Sequence, residues 1–228
     1  MDAGGPTGDA PGPLAALGTM AATEVALTDA LDHIEMYTRE GLLTLLWHGE
    51  ADRRDVVLMA GGAMGGLLGP GRGLYQRLGV ELATQGLGVI RVGYRVPNDL
   101  DLCVLDVLAA AELAARRGAR RFVTVGHSFG GAVAIQVAAA LGDMAEGVVT
   151  ASTQAGGCEP GELLGCPVLH LHGDSDPILP HAASEMVQML TGGELVVYPG
   201  AGHGLVEADA EIHELLGRWI PERFARSS

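Results

Sequence analysis

No run of about 18 apolar residues occurs in this 228-residue chain, which excludes a transmembrane helix. Positive charge is short: 14 Lys and Arg stand against 28 Asp and Glu, a formal net charge of -14 at pH 7. That excludes a nucleic-acid binder, which needs a basic face. It also excludes a protein held electrostatically on an anionic membrane, and the excess charge serves solubility. Cysteine is sparse and odd in number: Cys103, Cys158 and Cys166. None has metal-ligand spacing with a histidine pair, so no metal is expected, and the three read as reduced thiols of a cytoplasmic protein. No cofactor is called for. The N-terminal stretch lacks a basic n-region and an apolar h-region, so it is no secretory signal. Residues 1–23, rich in Gly, Pro and Ala, are expected to form a disordered tail, with Met20 as a second candidate start. Residues 24–228 are expected to form one domain. There are no internal repeats, and the 48% hydrophobic fraction predicts a core of small aliphatic side chains.

What is present is Gly126-His127-Ser128-Phe129-Gly130-Gly131, fed by the β-branched run Arg121 to Val125 and followed by a helix-forming segment from Ala132 to Leu141. This is a G-x-S-x-G pattern in a strand-turn-helix context, the setting of a nucleophile elbow. The flanking glycines leave room for strand and helix to approach closely. The serine hydroxyl is then presented beside the positive end of a helix dipole.

An elbow serine needs a base, and the partners follow in the order serine, acid, histidine. Pro167 to His172 reads as a strand ending in Gly173-Asp174-Ser175-Asp176-Pro177-Ile178-Leu179-Pro180. Glu194 to Tyr198 reads as another, ending in Pro199-Gly200-Ala201-Gly202-His203-Gly204. On these three motifs, over about residues 33 to 226, the chain resembles the α/β-hydrolases, particularly capless esterases, thioesterases and dienelactone-hydrolase-like enzymes. The resemblance implies a catalytic triad of Ser128, Asp176 and His203. The family spacing selects Asp176 as the acid; Asp174 reads as a turn residue bonding the loop backbone. His33, His48, His170, His172, His181 and His213 have structural readings, with His172 placed beneath the acid loop. His127 is expected to pack or hydrogen-bond locally.

The resemblance further implies an oxyanion hole from the backbone N–H of Phe129 and of Gly62, with Ala63 as the alternative to Gly62. The family's His-Gly pair is replaced here by Ala60-Gly61. The glycine-rich stretch after Ala60 lacks the Gly-Lys-Ser/Thr ending of a P-loop, so nucleotide binding is discounted.

Strands alternating with helices predict an α/β fold, the α/β-hydrolase fold, with a mostly parallel sheet, an N-terminal antiparallel hairpin (33–39 and 42–47) and helices on both faces. Helices are expected over about 74–84, 102–116, 182–190 and 207–218. Only residues 152–165 separate the strand ending at Ala151 from the next, too few for a cap domain, so the cleft should be open. Met64, Leu179 and Leu205 are expected to line a substrate pocket, with Leu67, Leu68 and Phe129 as further wall residues. Arg72 and Arg95 are expected to be solvated rather than to meet a substrate carboxylate. The function these readings imply is hydrolysis of a carboxylic ester or thioester of a small-molecule acyl substrate through an acyl-serine intermediate. A non-hydrolytic acyltransferase, lyase or cyclase is the alternative, and a silent ligand-binding protein a third class.

Overall fold

The computed structural model describes residues 11–225. A nine-stranded sheet runs in the order β1-β2-β3-β5-β4-β6-β7-β8-β9. β1 (Ala21–Thr28), β2 (Leu31–Tyr37) and β3 (Leu42–His48) form an antiparallel meander, and β3 is also antiparallel to β5 (Gly88–Gly93). From β5 onward the sheet is parallel through β4 (Asp55–Ala60), β6 (Arg121–His127), β7 (Ala145–Ala151), β8 (Val168–Gly173) and β9 (Glu194–Tyr198). The inner strands are buried on both faces and therefore read as continuous apolar runs such as Val56-Val57-Leu58-Met59-Ala60.

Helices cover both faces. α3 (Leu100–Arg117) and α4 (Phe129–Leu141) pack in one cluster with Trp47, Leu45 and Phe122; α2 (Leu74–Thr84) and α6 (Asp209–Ala225) pack on the other with Val57, Val123 and Val149. α5 (Ala182–Thr191) buries Val187 beside Val168 and Ile135. α3 begins at Asp99, whose carboxylate accepts the Leu102 N–H at 3.0 Å, and ends with Arg116 and Arg117 against its negative pole. α2 leads from β4 to its neighbour β5, while α3 leads from β5 back past β4 to β6 on the opposite face. The winding therefore reverses between β4 and β6, and an open α/β sheet has its crevice at the carboxyl ends of such a pair.

The N-terminal expectation needs correction. Residues 1–10 lie outside the described residues, but 11–23 are structured. α1 (Pro13–Ala16) docks on α3, where the Leu14 N–H donates to Glu112 Oε2 at 2.8 Å, and Leu17 is buried in the core. The expected hairpin is a three-stranded unit, because β1 adds itself to β2. β1 was illegible since all eight of its residues are exposed and no apolar alternation marks it. α6 also runs past the expected end at 218, through Pro221, because Ile220 and Phe224 are buried. After β7 only a short 3-10 helix, Glu159–Leu163, interrupts the connection to β8, and no cap domain stands there. No helix among the described residues is long and apolar enough to cross a membrane.

Candidate active site

β6 ends at His127 and α4 begins at Phe129, leaving Ser128 alone in the turn with φ 56° and ψ -121°. L-residues rarely adopt that conformation, so the surrounding structure must impose it. The Ser128 N–H donates to the Ala151 carbonyl at 2.8 Å, and the Ser128 carbonyl accepts from the Gly131 N–H at 3.0 Å. A Cβ on Gly126 would collide with the Gly130 carbonyl, and one on Gly130 with the carbonyls of Ala60 and Gly61. Those two glycines let β6, α4 and the end of β4 meet at the serine.

Across the crevice, Asp176 and His203 meet. Asp176 Oδ2 accepts from His203 Nδ1 at 2.7 Å, and the carboxylate has no exposed surface, while the His203 side chain is 15% exposed. Asp176 Oδ1 accepts the N–H groups of Ile178 at 2.8 Å and Leu179 at 2.9 Å. Burial by itself would push this carboxyl up. The Leu179 amide, the His203 imidazole and the Ile178 amide outweigh it and hold the group below the usual carboxylate range. Asp174 does what a turn residue does: it is exposed and accepts from the Gly200 N–H at 2.7 Å and from Ser175 Oγ at 3.0 Å.

Two further imidazoles brace this pair. His172 lies fully buried under the acid loop, with Nε2 3.2 Å from Asp176 Oδ2 and 3.0 Å from the Leu179 carbonyl, and Nδ1 2.7 Å from Ser184 Oγ. His127 Nε2 donates to the His203 carbonyl at 2.9 Å, its ring tilted against the His203 ring at 5.0 Å between centroids. Burial lowers the pKa of His127, and with Nε2–H committed to a carbonyl the ring holds the backbone of the histidine loop.

The loop after β4 is pinned from behind by two tyrosines that the sequence did not single out. Tyr75 Oη donates to the Ala60 carbonyl and Tyr94 Oη to the Gly61 carbonyl, each at 3.0 Å. A trans peptide sets its N–H opposite its C=O, so fixing the Gly61 carbonyl on Tyr94 turns the Gly62 N–H the other way. A Cβ on Gly62 would lie 3.7 Å from the Ser128 Cβ, which places that residue beside the serine. The N–H of Phe129 heads α4, where helix amides lack intrahelical acceptors. The Phe129 ring is buried edge-on to Tyr94, 6.3 Å between centroids, and belongs to the core rather than to a pocket wall. These tyrosines sit on α2 and just beyond β5, distant in sequence from any motif, and no local signal marks them.

Ser128 and His203 line one cleft of about 610 Å³, with His127, residues 61–69 and Ile178. Met64, Leu67 and Leu68 are on its wall; Leu179 and Leu205 are not. Leu205 is 1% exposed in the core, and Leu179 faces away because the turn capped by Asp176 presents its neighbour Ile178 instead. Arg95 is neither solvated nor in the cleft. Its fully buried side chain pairs with Asp106 and reaches Glu40. Arg72 is exposed, as expected. His48 and His170 are buried structural residues, and His33, His181 and His213 stand near Glu35, Glu185 and Glu81.

Comparison with known proteins agrees with the fold. The model of the dienelactone hydrolase family matches residues 94–217, more than half of the chain. Among solved structures, Est1E from Butyrivibrio proteoclasticus superposes with a TM-score of 0.72 at 16% identity, covering 85% of this chain and 99% of its own. The dienelactone hydrolase from Anabaena variabilis superposes with a TM-score of 0.70 at 18% identity over 88% and 98%. A monoacylglycerol lipase from Paleococcus ferrophilus gives 0.64 at 17% over 79% and 99%. These likenesses show the α/β-hydrolase fold. No protein among the curated ones matches the sequence.

Proposed function

Since the chain belongs to the dienelactone hydrolase family, we propose that it is a serine hydrolase cleaving carboxylic esters or thioesters of small to medium size. The observation that carries this reading is the convergence, on one cleft, of a serine in a strained elbow and a histidine bonded at 2.7 Å to a buried carboxylate. In this mechanism Ser128 Oγ attacks the substrate carbonyl while His203 takes its proton. Asp176 fixes His203 with Nδ1 protonated, leaving Nε2 as the base, and stabilises the imidazolium that forms. The Phe129 and Gly62 N–H groups hold the oxyanion of the tetrahedral intermediate. His203 returns its proton to the leaving oxygen or sulfur, leaving an acyl-serine. Water activated by the same histidine then releases the acid and restores Ser128.

Short p-nitrophenyl esters and a serine-reactive fluorophosphonate test the reading. The wild-type protein should turn over the esters and be labelled at Ser128, and Ser128→Ala should lower kcat by roughly 10,000-fold or more. Full activity in Ser128→Ala, or no turnover and no labelling in the wild type, would overturn it. Labelling without turnover would favour acyl transfer, lyase or cyclase chemistry on the same serine.

A further inference from the structure

We propose that the cleft takes uncharged esters with apolar acyl chains and excludes those whose acyl chain ends in a carboxylate, an inference that rests on the hydrolase reading above. The side chains around Ser128 are apolar and stand unusually free. Met64 is 93% exposed, Leu68 62% and Ile178 67%. Large apolar side chains gathered at a polar reaction centre mark a surface that waits for an apolar partner. They flank the serine from both sides. Met64, Leu67 and Leu68 stand on the loop after β4, next to β6 in the sheet, and Ile178 on the loop after β8, two strands beyond it.

The chain has no lysine, and among the described residues no arginine side chain lines the cleft. Arg72, three residues beyond Gly69, is exposed to solvent and is not among the lining residues, and the arginines nearest in the sheet are committed elsewhere. Arg91, 2% exposed, donates from Nε to His48 Nε2 at 3.0 Å and from a terminal nitrogen to the Leu67 carbonyl at 3.1 Å, behind the cleft wall. Arg95 is held inside by Asp106 and Glu40. A substrate carboxylate would shed its water against hydrocarbon without gaining a counter-charge. The net charge of -14 adds a general repulsion. An alkyl chain of equal length meets neither penalty and gains apolar contact with the same walls.

The test compares p-nitrophenyl hexanoate with the mono-p-nitrophenyl ester of adipic acid, which share acyl length and leaving group and differ in one terminal carboxylate. The hexanoate should be favoured by roughly 100-fold in kcat/KM. Met64→Arg, which places a cation on the rim at an exposed position, should narrow that ratio by roughly tenfold. Equal kcat/KM for the two esters overturns the inference and leaves the hydrolase reading intact. So does an unchanged ratio in a folded Met64→Arg protein, or labelling of Ser128 by fluorophosphonate with turnover of neither ester. Absence of both labelling and turnover overturns the hydrolase reading itself, and the inference with it.

Discussion

His172 Nε2 lies 3.2 Å from Asp176 Oδ2, the same oxygen that accepts from His203 Nδ1 at 2.7 Å. Its other close neighbour, the Leu179 carbonyl at 3.0 Å, is also a pure acceptor, so Nε2 carries the proton. His172 thus ties the carboxylate and the backbone of the acid loop to α5 through Ser184. His172→Phe should lower kcat by roughly 10-fold to 100-fold with KM little changed, because the carboxylate loses its register on His203. His172→Gln, which keeps an N–H donor, should recover part of the loss. Equal kcat in the wild type and in a folded His172→Phe would show that the contact is packing only.

Tyr94 governs the other half of the site. Removing its hydroxyl frees the Gly61 carbonyl and with it the direction of the Gly62 N–H. Tyr94→Phe should lower kcat by roughly 10-fold, a fraction of what losing an oxyanion donor costs. The stability cost should be about 1 kcal/mol. Steady-state kinetics and urea unfolding of the same preparation separate the two effects.

The Arg95–Asp106 pair is an internal structural element in which both side chains are fully buried. Burial lifts the Asp106 carboxyl above its ordinary pKa in spite of the opposing pull of Arg95. Arg95→Met leaves that carboxyl alone in the core and should cost about 3–5 kcal/mol. Arg95→Met combined with Asp106→Leu should regain most of it, since the uncompensated charge disappears with its partner. Thermal unfolding of the wild type, both single variants and the double variant completes the cycle.

Stability should fall in mild acid because two buried imidazoles resist protonation. Desolvation lowers His170 to about 4, and desolvation with the Arg91 charge lowers His48 to about 4. In the unfolded chain both titrate near 6.5. Between those values the unfolded state binds more protons, so stability rises with pH. The contribution is complete above about pH 6.5 and is lost as pH falls toward 4, on the order of 3 kcal/mol for each histidine. Urea midpoints from pH 7 to pH 4 measure the slope. His170→Gln should flatten it, and an unchanged slope would assign the acid sensitivity elsewhere.

Local chemistry wrote much of the fold and site into the chain. The elbow is legible because a strained turn between strand and helix needs glycines on either side of the serine, and Gly126 and Gly130 stand where a side chain would collide. The acid is legible because Asp176 caps its own turn, a contact between residues two and three apart. The parallel strands are legible because burial on both faces demands continuous apolar runs. The sheet edge was not: β1 is exposed throughout, and only pairing with β2 makes it a strand.

The sequence by itself determined the order of the candidate serine, carboxylate and histidine, since each is marked by residues adjacent to it. Tertiary structure alone decided what surrounds them. Ile178 rather than Leu179 reaches the cleft because a backbone turn rotates one out and the other in. Arg95 goes inward because Asp106, almost two turns into α3, awaits it. Tyr94 serves the site because the sheet order sets β5 beside β4, so that its hydroxyl meets the Gly61 carbonyl. His172, only four residues before Asp176, owes to packing its anchor on Ser184 of α5. Contacts between distant segments depend on how the chain packs, and no short stretch of sequence carries that information.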